Sequence, residues 1–132
     1  MKKSFVLGII LIIAFSFFSC GDGGGSNGSQ TATLKIANEN SNTIVEAKVS
    51  QWKGTPLIDI KELKNLNITN GNSKSLTINV PDGVDKIRVS VYFNTSGGYN
   101  VNDEVDSASG FSNRTLIFTL DASEVGTLIL EP

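Results

Sequence analysis

The chain has no histidine and one cysteine among its 132 residues. The first absence removes Ser-His-Asp and Cys-His nucleophile systems, imidazole acid–base chemistry and zinc sites built on imidazole. The second rules out a disulfide within the chain. Proline occurs three times and charged side chains make up 18%. Long hydrophobic runs are scarce too. One stands out, residues 5–18 (FVLGIILIIAFSFF), and it falls short of the ~20 apolar residues that a spanning helix needs. Among reaction types, a carboxylate pair acting on a sugar is what remains, and the acids lie mostly at positions expected to be loops or outer faces. The chain is therefore expected not to be an enzyme.

What is present begins at the N-terminus. Lys2 and Lys3 precede the apolar run, Ser19 and Cys20 close it, and the composition then changes at once to Gly, Ser, Asn and Asp. A positive start, a short apolar stretch and a small residue form the pattern of a secretory signal. The segment Phe17-Phe18-Ser19-Cys20 resembles the lipobox of bacterial lipoprotein precursors, with Phe17 where Leu is commonest. That resemblance covers residues 1–20. It implies a signal peptide at 1–19, diacylglycerol on the Cys20 thiol, an N-acyl chain on the new terminus and a lipid-anchored protein in the bacterial cell envelope. The other readings are a plain signal peptide, which would leave Phe17 at the unfavourable −3 position, and an uncleaved anchor, which the length of the run opposes. Several acyl chains hold far more firmly than one, because each buried methylene adds ~0.8 kcal/mol.

Residues 20–30 read as the lipidated cysteine and a Gly/Ser tether, GDGGGSNGSQ, with no apolar residue to bury. Its expected end-to-end reach is roughly 17 Å. No Lys-Ser/Thr pair closes this glycine run, so it reads as a spacer rather than a phosphate loop. Residues 31–132 are expected to form one domain. After residue 19, Leu, Ile, Val and Phe supply 30 of 113 residues, enough for a core without metal or disulfide. The same segment holds nine cations against thirteen acids with the signs interspersed, which opposes nucleic-acid binding.

In the body the apolar residues alternate with polar ones, the period of half-buried strands. Leu34 and Ile36 mark a first strand. Val45, Ala47 and Val49 give the inward face of a second over 43–52. Leu76, Ile78 and Val80 then Ile87, Val89, Val91 and Phe93 are expected to form a hairpin across Pro81-Asp82-Gly83. Leu116, Phe118 and Leu120, then Leu128 and Leu130, complete six strands, with 66–69 as a seventh. Asn70-Gly71 suits a turn needing positive φ. Asp59 followed by Glu62 has capping-box spacing and suggests a short helical crossover over 59–64. The expected fold is an all-β, about seven-stranded antiparallel β-sandwich of immunoglobulin-like or transthyretin-like type with that one crossover.

Two candidate sites emerge. Trp52 and Tyr92 fall on the outward phase of their strands with Lys86 and Arg88, and aromatics beside cations suit a sugar ring or a protein partner. The opposing possibility is that they pack beneath the 53–65 segment. Asp103, Glu104 and Asp106 lie in an expected long loop over 95–110, where carboxylates could gather around calcium. A solvated acidic loop is the simpler reading, and no cofactor beyond the covalent lipid is expected. The expected role is a non-enzymatic, membrane-anchored binding module for surface recognition or adhesion. The alternative is a periplasm-facing structural or envelope-assembly accessory. The anchor has a direct consequence: Cys20→Ser should leave the precursor uncut and unlabelled by fatty acid, and a variant that is still cut before residue 20 or still takes up fatty acid would refute it.

Overall fold

The computed structural model describes residues 29–94 and 100–132, so the signal segment, Cys20 and tether residues 21–28 lie outside the described residues. Eight strands follow in chain order: β1 (Ser29–Asn38), β2 (Ile44–Trp52), β3 (Leu57–Leu63), β4 (Asn72–Pro81), β5 (Lys86–Phe93), β6 (Asn100–Asp106), β7 (Thr115–Leu120) and β8 (Gly126–Glu131). They form two four-stranded sheets, ordered β4-β1-β7-β8 and β3-β2-β5-β6. The described residues contain no helix.

Alternation explains why these segments extend and why the sheets meet. Leu34 and Ile36 of β1, Ile78 and Val80 of β4 and Leu116, Phe118 and Leu120 of β7 point from one sheet into a common core. Ala47 and Val49 of β2 and Ile87, Val89, Val91 and Phe93 of β5 point back from the other, in a sandwich-like arrangement. In β5 every second residue is buried, from Ile87 to Phe93. At roughly 1.5–3 kcal/mol for each large side chain removed from water, these inward rows are the main stabilising term.

The structure differs from the sequence expectations at identifiable places. Residues 59–64 are not helical: β3 covers Leu57–Leu63 and pairs antiparallel with β2, so ladder bonds take the place of the expected cap. Residues 95–110 are not one long loop, because β6 pairs antiparallel with β5 from Lys86↔Asp106 to Tyr92↔Asn100. The 66–69 segment makes one isolated bridge, Ile44↔Ile68, rather than a strand. The strand count is therefore eight. The pairing is not wholly antiparallel either, since β1 runs parallel to β7. The Pro81-Asp82-Gly83 turn does form, with Gly83 at φ 84°, yet β4 and β5 belong to different sheets. It folds the chain across the core, burying Val84, instead of closing a hairpin. A bulge between Ile44 and Glu46 makes Ile44 the buried residue and leaves Val45 half-buried.

β1 also opens at Ser29, two residues before the expected start of the domain. Its first residue and the last strand's Glu131 lie at the same end, along with loops 53–56, 82–85 and 107–114. The opposite end carries loops 39–43, 64–71 and 121–125. Asparagine organises that end. Asn38 is 1% exposed; its Nδ2 donates to the carbonyls of Asn42 and Ile68, both at 2.8 Å, and its Oδ1 accepts from the Asn40 N–H at 2.8 Å. Asn40 passes the connection on, donating from Nδ2 to the Asp121 carbonyl at 3.0 Å. The loops of both sheets are thereby fastened to one another.

Asn38→Ala would leave the buried Asn40 N–H and the part-buried Asn42 carbonyl without this partner and take one of two donors from the Ile68 carbonyl, and should cost about 2 kcal/mol in urea unfolding. Asn42→Ala removes an exposed 3.3 Å contact to Glu124 and should stay within about 0.5 kcal/mol. Equal losses would refute the structural role given to Asn38.

Candidate functional site

The outward face of the second sheet collects the aromatic and cationic side chains. Register sets the neighbours: Trp52 stands opposite Lys86, Ser50 opposite Arg88, Lys48 opposite Ser90 and Glu46 opposite Tyr92. Diagonal positions two residues apart across an antiparallel pair remain within reach of long side chains. That geometry puts the Arg88 guanidinium over the Trp52 ring, 5.1 Å from its centroid, and the Lys48 ammonium over the Tyr92 ring at 5.4 Å. Contacts of this type contribute about 0.5–1 kcal/mol at exposed sites.

Trp52, Lys86 and Arg88 therefore come together near the end where β1 begins. Tyr92 does not join them. It lies six residues along β5 from Lys86, about 20 Å away at strand rise, with Lys48 as its cation. Trp52 and Tyr92 cannot clasp one sugar ring between them. Both are half-buried on the outward face, and the 57–63 segment lies beside β2 as an edge strand rather than over them.

Glu104, read from the sequence as a candidate calcium ligand, is instead the partner of the β5 cations. It accepts from Arg88 Nε at 3.1 Å and Nη2 at 2.6 Å, and lies 3.9 Å from Lys86 Nζ. Asp106 sits 3.9 Å from the same ammonium. At 40% exposure for Glu104 and 43% for Arg88, such pairs contribute about 0–1 kcal/mol each, so they orient the cation over Trp52 more than they stabilise the fold. The signal for that role was the alternation of Val101 and Val105 with acids, which identifies a strand beside the cations of β5.

The same register separates the candidate calcium ligands. Glu104 and Asp106 share the outward face, while Asp103 stands opposite Val89 and faces the core side. Its Oδ2 accepts the Leu128 N–H at 2.7 Å, tying β6 to the edge strand β8 of the other sheet. Among the described residues no three His, Cys, Asp or Glu side chains gather in a way that could hold a metal ion. Two recesses open at the end where the chain enters. One, about 360 Å³, is lined by residues including Gln30, Asp82, Asp85 and Ser109, and its neighbour of about 320 Å³ lies around Asp85, Lys86 and Asp106. The Asp85 carboxylate accepts the Gly54 N–H at 3.0 and 3.1 Å, so it braces the 53–56 loop.

No protein-family model and no curated protein matches the chain. Solved structures do resemble it. A protein from Eubacterium rectale, determined by NMR, superposes with a TM-score of 0.50 at 16% identity over 81% of this chain and 94% of its own; the likeness is one of fold. The cytotoxin suilysin from Streptococcus suis gives 0.43 at 14% identity, covering 80% of this chain, and pneumolysin 0.39 at 10%, covering 76%. This chain spans about a quarter of the length of either, 24% and 23% respectively.

Trp52 is the one tryptophan of the chain, so its fluorescence reports on this face alone. Arg88→Ala should raise the acrylamide quenching of Trp52 while costing no more than about 1 kcal/mol. Unchanged quenching would show that the guanidinium does not shield the ring.

Proposed function

We propose that this chain is a membrane-anchored bacterial lipoprotein, held by acyl chains on Cys20, that presents a small non-enzymatic β-sandwich module of immunoglobulin-like or transthyretin-like type for surface recognition or adhesion. The observation that carries the reading is the Trp52–Arg88–Lys86 grouping on the outward face of β2 and β5, braced by Glu104. A flat aromatic surface ringed by oriented charges offers contact area at low entropic cost, which suits a protein or glycan partner better than a reaction. The absence of histidine and the expected acylation of the one cysteine support a binding role in place of catalysis.

The anchor and the fold are compatible in geometry. Eight residues separate Cys20 from Ser29, a span of at most about 30 Å, so the end bearing 53–56, 82–85 and 107–114 would lie nearest the lipid. The asparagine-linked loops would then be the distal end. The accessory reading, in which the protein serves envelope assembly from the periplasm, would draw support from a buried Trp52 and an open final strand. Trp52 faces outward instead, and the Leu128 N–H of the final strand is occupied by Asp103.

Protease treatment of intact cells tests the proposal. Loss of the 29–132 domain without opening the outer membrane is the expected result, and Trp52→Ala together with Arg88→Ala should then reduce attachment to the partner surface about tenfold without lowering the unfolding midpoint appreciably. Full protection until the membrane is permeabilised would overturn surface recognition in favour of the periplasmic role.

A further inference from the structure

The strand β3 forms one edge of the second sheet, and its ladder runs to β2 alone. Its other side presents free N–H and C=O groups, the feature by which sheets join end to end unless something guards them. The other three edges carry guards. Lys74 and the terminal Pro81 protect β4, acids line β6, and the Leu128 N–H of β8 is taken by Asp103. β3 also carries charges, Asp59, Lys61 and Glu62, and a register irregularity opposite Gln51 and Trp52, but its Leu57, Ile58 and Ile60 are 46%, 41% and 51% exposed.

The charges of this edge specify what would cover it. In the sequence Leu57-Ile-Asp-Ile-Lys-Glu-Leu63, Asp59 and Lys61 flank Ile60 symmetrically. Two antiparallel copies must set residues of the same face opposite one another, so a two-fold axis near the middle passes through Asp59, Ile60 or Lys61. An axis at Asp59 opposes two carboxylates, and one at Lys61 opposes two ammonium groups. An axis at Ile60 pairs Ile60 with itself and Asp59 with Lys61 twice, and the regular register ends at the irregularity before Leu57. Ile58 then meets Glu62, whose carboxylate is drawn aside by Lys48 at 3.7 Å and Lys64 at 3.6 Å. Asp59 uses Oδ2 to accept from Gln51 Nε2 at 3.2 Å, and its other oxygen can face the partner lysine.

We propose that β3 pairs antiparallel with β3 of a second copy of this chain about a two-fold axis at Ile60, joining two four-stranded sheets into one of eight strands. The contact is isologous and therefore closes at a dimer. It extends the outward face, so two Trp52–Arg88 groups share one continuous surface.

The test uses the full chain in detergent micelles with Ile60→Cys. Directly opposed Cβ atoms stand about 4.5–5.5 Å apart, close enough for a disulfide after slight adjustment. Mild oxidation should yield a covalent dimer about tenfold above that of Ile58→Cys, which faces Glu62, and above the unsubstituted chain with Cys20 alone. Adding Lys61→Asp to Ile60→Cys sets aspartates opposite each other twice and should reduce the yield about tenfold. Further adding Asp59→Lys should restore it. No dimer from Ile60→Cys, equal yields at 58 and 60, or indifference to Lys61→Asp would each overturn the proposal. Asp59→Lys also breaks the bond to Gln51, so if that variant unfolds, the exposed Lys61→Asp substitution decides the matter.

Discussion

The fold depends on the central placement of β1. It is the strand through which the first sheet holds together, bonded antiparallel to β4 on one side and parallel to β7 on the other. Its Leu34 and Ile36 are fully buried, and Asn38 at its end anchors the loop network. Remove β1 and that sheet becomes a lone β4 and a β7–β8 hairpin, neither able to cover β2 and β5. A parallel partner 82 residues away, Thr115 against Thr33, must be brought back before β1 is complete, a long-range pairing of the kind that slows folding.

The second sheet supplies the chemistry, and its outward face follows from the inward one. Once Ala47, Val49, Ile87, Val89 and Val91 are committed to the core, the pleat sends Lys48, Trp52, Lys86, Arg88 and Tyr92 outward without further choice. What register adds is pairing. Diagonal neighbours place one cation over each aromatic ring, and β6 contributes the carboxylate that fixes Arg88. Close approach is managed by small residues: a Cβ on Gly126 would lie 2.6 Å from Phe118 Cζ and 2.8 Å from Val101 Cγ1, so β8 nestles against the core only as glycine at that point.

The strands legible in sequence are those with one wet and one dry face. β5 reads cleanly because every second residue is buried. Of the two strands missed, β3 is exposed along most of its length and loses the alternation, whereas β6 keeps it but interrupts its inward row of Val101 and Val105 with Asp103, so its acids read as a loop. In β3 the Asp59–Glu62 spacing fits a helix cap equally well, and the decision is made by bonds to β2, which local sequence cannot contain. The assignment of β4 and β5 to different sheets was hidden for a similar reason: the turn chemistry of 81–83 serves a hairpin and a crossing alike. Trp52, Lys86 and Arg88 were legible as one surface from parity, whereas Tyr92 was placed with them because parity says nothing about distance along a strand. Buried Gln51 and Phe111 gave no signal, one being polar and the other lying in a loop.

The direction of β1 relative to its neighbours bears on how the domain would carry a load. Tension arriving from residues before Ser29 runs along the strand, at right angles to the bonds of both its ladders. Those bonds are then strained together in shear, rather than parted one after another as in a zipper opened from its end. A domain hung by this strand resists being pulled apart through the summed strength of two ladders, while its outward face remains free to be gripped.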